Sequence, residues 1–340
     1  MDTIRRVLSG ETLDVATAEA AFDRFMSGEA TPAEMAALLT GLRMRGETPA
    51  EVAGGVRALR KAMVPLELDD DRIIDTCGTG GGTLTTFNIS TAASIVAVAG
   101  GVRIAKHGNR SFTSKCGSAD VLETLGVPIQ LPLEDEKRMF EETGFAFMFA
   151  PAHHPAMRHV GPVRAGLGVT TIMNLLGPLA NPAGVRRQVV GVAHAGLQRL
   201  VADALLELGH ERALVVHGEP GMDELSPLGP TRVFQVENGT LSEFEVTPSG
   251  LGWPDYDPGD LAGGEPAENA ERVRRVVCGT EGGAGRAAVV LNAAAAFWVA
   301  GTVDTLAEGV AAAERAIDSG AARDQLEVLQ AFEPGVGSLR

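Results

Sequence analysis

The chain has 340 residues, of which 45% are hydrophobic and 4% aromatic, and its formal charge is −15. That length and apolar content suit a large core shared by two lobes. The acidic balance argues against nucleic acid as the main partner, because a basic footprint is expected there; wherever a polyanion binds, local cations or a metal must offset it.

Residues 1–64 read as helical. Thr31-Pro32-Ala33-Glu34 and Thr48-Pro49-Ala50-Glu51 are capping boxes with Pro at the first helical position. Met35, Leu38, Leu39 and Leu42 recur at helical spacing. The simplest role for this lobe is structural packing, with a cleft wall or a dimer face as a further use. Residues 65–71 (PLELDDD) form the lobe connection.

The stretch 73–126 organises the rest. Ile73 and Ile74 close an apolar strand, and Gly78, Gly80, Gly81 and Gly82 follow as a bare-backbone loop. Asn88 or Ser90 can cap the next helix, continued by apolar residues 92–98. Glycine amides approach anions closely, and a helix N-terminus adds a positive dipole end. Residues 102–105 read as the second strand, followed by a polar loop carrying Lys106, His107, Asn109, Arg110, Ser111, Thr113, Ser114 and Lys115. In a parallel sheet both loops emerge at the carboxyl ends of their strands, where open α/β sheets bind ligands. The pattern implies a site for a phosphorylated small molecule.

Further along, 133–142 reads as a charged helix and 145–149 as a buried strand. His153 and His154 read as loop or capping residues rather than metal ligands, since no third ligand lies at a telling spacing. The segment 161–182 holds a short helix with one strong cation, Arg164. It is either a solvated helix-end residue or a carboxylate-binding fork. A second strand–helix–strand unit, 188–216, ends in a glycine turn with Asp223 and Glu224. These are either an exposed acidic turn or hard oxygen ligands suited to Mg²⁺. Residues 231–254 are a polar, strand-rich excursion, and four helices complete the chain. The first of these carries Arg272, Arg274 and Arg275, read as a solvated face. Alternating strands and helices imply an α/β lobe with a largely parallel sheet. Three scattered cysteines, Cys77, Cys116 and Cys278, make no disulfide framework and fit a reducing cytosol. The first residues lack a signal-peptide core, and no apolar run approaches the roughly 20 residues that span a bilayer. A cytoplasmic protein with no membrane partner is expected.

GTGGG is not a P-loop, because no GK[ST] follows, and it is not GxGxxG. Its combination with KHGNR and an acidic pair is more specific. GTGG…TFNIST, AKHGNRS, GSADVLE, PVR, NLLGPLANP and GMDE, in this order over nearly the whole chain, resemble the signature segments of the anthranilate phosphoribosyltransferase family. The resemblance implies a small helical lobe (1–64, joined by helices around 155–180) beside an α/β lobe (72–340), the nucleoside-phosphorylase-like phosphoribosyltransferase fold, in a homodimer. It implies transfer of phosphoribose from phosphoribosyl pyrophosphate to the anthranilate amine, assisted by Mg²⁺.

The site residues carry over by the same resemblance. Gly78 lies between the substrates. Gly81, Gly82, Thr86, Asn88, Ile89, Ser90 and Thr91 hold the donor, together with Lys106, His107, Gly108, Asn109, Arg110, Ser111, Phe112, Thr113, Ser114 and Ser118. Gly78, Asn109 and Arg164 serve anthranilate. Ser90, Asp223 and Glu224 hold the metal. The chemistry then makes Lys106, His107 and Glu224 the expected catalytic set, with His107 either taking the amine proton late or making a structural hydrogen bond to the loop. Two departures stand out: Gly82 where the family commonly has Asp, and Thr170 where it commonly has Arg. The alternatives are a same-fold enzyme with a nucleobase acceptor, or a non-enzymatic nucleic-acid-binding relative. Arg164 with Asn109 favours a carboxylated aromatic acceptor.

Overall fold

The computed structural model describes residues 2–111 and 115–335. Four helices open the chain: α1 (Asp2–Leu8), α2 (Val15–Met26), α3 (Pro32–Arg45) and α4 (Pro49–Lys61). Both expected capping boxes are formed, Thr31 with Glu34 and Thr48 with Glu51. The α/β part follows as β1 (Ile74–Gly78), α5 (Ile89–Ala99), β2 (Ile104–Gly108), α6 (Ser118–Leu125), α7 (Leu133–Thr143) and β3 (Phe145–Phe149). Then come α8 (Ala150–His153), α9 (Met157–Leu167), α10 (Met173–Leu179), β4 (Arg187–Gly191), α11 (Ala195–Glu207) and β5 (Arg212–Gly218). The hairpin β6 (Thr231–Glu237) and β7 (Thr240–Val246) precedes α12 (Pro266–Val277), α13 (Gly283–Ala300), α14 (Leu306–Asp318) and α15 (Ala321–Gln330).

The strands form one sheet of 7 in the order β3-β2-β1-β4-β5-β6-β7. The first five pair in parallel, and the β6–β7 hairpin extends the sheet antiparallel. The order runs outward from β1 in one direction and from β4 in the other, so the crevice of an open α/β sheet falls at the carboxyl ends of these two strands. Gly78 and Gly191 face each other there in register.

Period-2 alternation divides the sheet into two differently covered faces. Ile74, Ile104, Val189, Leu214 and Val216 join a core with α5 and α13. Val190, Val192, Ala213 and Val215 join a second core with α11 and the opening helices. That second core also takes Leu175, Leu176 and Leu179 of α10, so the 157–179 helices pack with the helical lobe. A small cluster of Leu66, Ile73, Ala105, Phe140, Ala146 and Met148 seats the lobe connection on the sheet.

Several sequence expectations are corrected. The second strand starts later than 102–105 and runs through Lys106, His107 and Gly108, because these pair with Phe147, Met148 and Phe149. His153 and His154 close α8 as its last residue and C-cap, in keeping with the capping reading, but both are buried rather than on an open loop. Asn88 sits at the N-cap position of α5 but makes no side-chain cap; its amide instead spans Cys116 O and Asn269. Arg272 is no solvated cation: it pairs with Glu281 at 2.9 Å and lies 4.4 Å over the Phe87 ring. Finally, α13 is long and apolar enough by length and composition to cross a membrane, yet 83% of it is buried inside the protein, where it serves as a core helix.

Candidate active site

The site is built where β1, β2 and the 221–226 loop meet. Lys106 lies at the centre of β2 and is 2% exposed. Its ammonium donates to the Thr76 carbonyl, to Thr76 Oγ1 at 3.3 Å and to Ser90 Oγ at 3.4 Å. Burial holds its pKa below the ordinary lysine value, while the nearby Asp75, Cys77 and Glu224 pull the other way. Ser90, in the first turn of α5, donates its backbone N–H to Glu224 Oε1 at 3.1 Å. Lys106 and Glu224, 118 positions apart (224 minus 106), therefore converge on one serine. Thr76, Ser90, Glu224 and Asn292 line a small cavity between them.

The acidic loop is pressed onto the glycine loop. Gly80 N–H donates to Asp223 Oδ2 at 2.8 Å, and Thr83 Oγ1 donates to Pro220 O at 2.8 Å. A Cβ at Gly78 would stand 2.3 Å from Asp223 Oδ2, and one at Gly191 1.7 Å from the Asp223 carbonyl oxygen. Glycine at both register-paired strand ends is what lets the acidic loop enter the crevice. Gly82 belongs to the same contact, since a Cβ there would lie 2.8 Å from Gly221 O. Gly80 and Gly81 adopt positive φ, which side chains resist.

The pair Asp223–Glu224 passes a simple test for a cation site. Burial, and then the charge of Asp223, push Glu224 up to about 8. Two crowded carboxylates of this kind are eased by a bound cation. Among the described residues no cluster of three His, Cys, Asp or Glu could cage a metal. A pair of hard carboxylate oxygens suits Mg²⁺, which keeps waters and shares substrate phosphate oxygens rather than filling a protein cage.

His107, next along β2, points to the opposite face. Its ring lies 4.9 Å from that of His154, and its Nε2 is buried with no hydrogen-bond partner of normal geometry. Burial, and then His154, hold its pKa well below the ordinary imidazole value, so the ring is neutral near pH 7. Asp75 anchors this face: it accepts from His107 N at 3.3 Å, Asn181 Nδ2 at 2.8 Å and Gln188 Nε2 at 3.3 Å. Gln188 Nε2 also donates to Pro178 O of α10 at 2.6 Å. Arg164, in the last turn of α9, has burial holding its pKa down, and no side-chain hydrogen bond or ion pair engages it among the described residues. It is a half-buried cation without a counter-charge.

The remaining expected residues fall into three groups. Ile89 and Thr91 are buried in α5, so only their backbone can reach a ligand. Thr86 bridges to Ala262. Asn109 meets the α6 N-terminus through its backbone: Ser118 Oγ donates to Asn109 O at 3.5 Å, and a Cβ at Gly108 would stand 2.2 Å from that hydroxyl. Arg110 is paired with Asp120 at 2.9 Å and Glu123 at 2.8 Å, Ser111 N–H reaches Asp120, and Lys115 faces Glu265 at 3.3 Å. Phe112, Thr113 and Ser114 lie outside the described residues. Thr170 is exposed. Sequence reasoning missed Asp75, Asn181, Gln188 and Asn292; only for Asn292, a lone amide inside an apolar run, was a signal available.

The molecule is thus a helical bundle beside an α/β lobe, with a lysine, a glycine loop and an acidic pair at the sheet's switch point, and the family matches make it a glycosyl transferase. Residues 1–63 match the glycosyl transferase family helical bundle domain, and residues 70–323 match its a/b domain. The anthranilate phosphoribosyltransferase of Rubrobacter xylanophilus is 51% identical over 326 residues, covering 96% of this chain and 95% of that relative. The crystal structure of the Thermus thermophilus enzyme of the same name superposes with a TM-score of 0.92 at 45% identity, covering 98% and 99% of the two chains. The Saccharomyces cerevisiae enzyme, solved with phosphoribosyl pyrophosphate and Mg, gives a TM-score of 0.88 at 28% identity over 96% of each chain. The chain belongs to the anthranilate phosphoribosyltransferase family.

Proposed function

We propose that this chain transfers the phosphoribosyl group of phosphoribosyl pyrophosphate to the amine of anthranilate, giving N-(5-phosphoribosyl)anthranilate and pyrophosphate, a step of tryptophan biosynthesis. The convergence of Lys106 and Glu224 on Ser90 is the observation that carries the reading. Breaking the bond from ribose C1 to the diphosphate builds positive charge on the sugar and negative charge on the leaving group. Donors already aimed at that developing charge are usually the largest catalytic contribution. Lys106 and the amides of Gly81 and Gly82 would supply them here. Ser90, Asp223 and Glu224 would hold Mg²⁺, which when bound adds positive charge at the departing diphosphate.

The acceptor side needs no strong base, because an aromatic amine is neutral at pH 7. Neutral His107 is suited to take the amine proton late. Arg164 grips the carboxylate, with Asn109 and Gly78 beside the ring. In-line holding of the two substrates contributes much of the rest, since positioning can be worth roughly 7–11 kcal/mol. The donor is held along Gly81, Gly82, Thr86 and Asn88–Thr91 and by the loop from Lys106 to Ser118. In this reading a helical lobe at 1–64, joined by the 155–180 helices, and a catalytic lobe at 72–340 hold the acceptor between them. Leu8 and Met44, 66% and 82% exposed on the helical lobe, support a homodimer.

Purified protein given phosphoribosyl pyrophosphate and Mg²⁺ is expected to release pyrophosphate only when anthranilate is added. Release that follows uracil or nicotinate instead, with anthranilate inert, would replace this reading by a nucleobase-acceptor enzyme.

A further inference from the structure

We infer that Asn292, in the middle of α13, is a positioning residue for the acidic pair: its carboxamide fixes the Leu225 peptide and thereby where Asp223 and Glu224 meet Ser90 and the glycine loop. The inference rests on reading that pair as the diphosphate and magnesium end of the site.

The other buried residues of α13 are Ala, Gly, Val, Leu and Phe. A carboxamide in such surroundings is costly unless it is hydrogen-bonded. Asn292 is 4% exposed, and its bonding is complete in a particular way. Oδ1 accepts from Leu225 N at 3.0 Å, while Nδ2 donates to Leu225 O at 2.9 Å and to Ala288 O at 2.9 Å. Leu225 lies in no helix or strand. Its N–H and C=O, which a buried backbone must pair, therefore both go to one side chain. Holding donor and acceptor of the same residue fixes its rotation as well as its place.

Besides the glycine-loop contacts, the neighbouring anchors belong to the loop's own hairpin. Gly218 and Met222 exchange backbone bonds at 3.0 and 2.7 Å, and Ser226 N–H donates to Thr231 Oγ1 at 2.9 Å. Asn292 instead ties the loop to the helix that packs on β1, β4 and β5, the strands that frame the crevice. It also lines the small cavity beside Glu224 and Ser90. A peptide pinned there one residue after Glu224 carries little slack to the carboxylate.

The test compares Asn292→Leu, which removes the pairing at similar volume, with Val289→Ala, a fully buried truncation on the same helix. Binding of magnesium pyrophosphate by calorimetry and the KM of each substrate are measured. Asn292→Leu is expected to weaken magnesium pyrophosphate about 10–100-fold, as loss of a ligand's support does. The KM of phosphoribosyl pyrophosphate rises with it, the KM of anthranilate does not, and Val289→Ala moves neither. Unchanged pyrophosphate binding in Asn292→Leu, or an equal loss in Val289→Ala, overturns the inference. Asn292→Ser takes the same readings if the leucine variant does not fold. Asp223→Asn is run alongside: if it too binds pyrophosphate normally, the reading of the acidic pair has failed, whereas a loss there without one at Asn292 removes only the inference.

Discussion

The two faces of the central sheet do different work, and β2 shows it within two residues. Lys106 faces α5 among hydroxyls, a carbonyl and the acidic pair, which suits a polyanion. His107 faces the helical side beside His154 and Asp75, which Asn181 in turn holds, where a flat aromatic acceptor with a neutral amine is suited. Alternation along a strand is the cheapest way to aim adjacent side chains at two substrates. It also makes the pair mutually dependent, since a one-residue slip would exchange the faces. Asp75, accepting the His107 N–H while Asn181 Nδ2 bridges it to Ala105 O, pins that register.

If the faces are separate in chemistry, substitutions should separate in kinetics. The largest effect is expected for Lys106→Met, which keeps the stem and removes the charge. Loss of one pre-aimed donor typically costs about 10²–10³ in turnover, and here it should appear at saturating anthranilate and be read in kcat. A variant that retains near-parental kcat would remove Lys106 from the leaving-group side. Arg164→Ala comes next. Loss of charge-assisted hydrogen bonds of about 1.5–3 kcal/mol corresponds to roughly a 10–100-fold rise in the anthranilate KM. The KM of phosphoribosyl pyrophosphate should hardly move. Equal increases in both constants would mean that the faces do not partition the substrates.

The sequence made some of this division legible and hid the rest. Element order, the two capping boxes and the glycine loop all follow from local signals that tertiary packing reinforced. The polar run from Lys106 was read as loop because charged residues seldom lie inside buried strands. Here they do, since the strand's end is the site. Likewise His153 is buried because Glu136 meets it at 3.0 Å and its Nδ1 contacts Val64 O at 2.8 Å. Neither partner is near in sequence, so spacing could not reveal it. Arg272 was misjudged for the same reason: its partners Glu281 and Phe87 come together only in the fold. Asn292 is different, because a single amide inside an alanine- and valine-rich helix is visible in the sequence and asks for a partner.

The smallest expected effect concerns stability and sharpens the contrast from the His107 face. His153 and His154 are adjacent but titrate in opposite directions. Burial pushes His153 down, but its bond and charge contact with Glu136, with the Val64 carbonyl, outweigh that and leave it raised. Burial, and then the charge of His153, lower His154 to about 4, and neither of its ring nitrogens has a hydrogen-bond partner of normal geometry. The raised group contributes stability below its unfolded value, lost as pH rises through the folded one. The depressed group contributes stability above its unfolded value near 6.5, lost as pH falls through about 4. Between those limits the unfolded chain binds a proton at His154 that the folded chain refuses, so acid weakens the fold by up to about 3 kcal/mol. His154→Leu removes that proton uptake. Its denaturation midpoint should therefore fall less than the parent's between pH 7 and 4.5. Acid limbs that run parallel in the two proteins would show that the His154 ring already takes up its proton in the folded state, and that the His107 face is wetter than its packing implies.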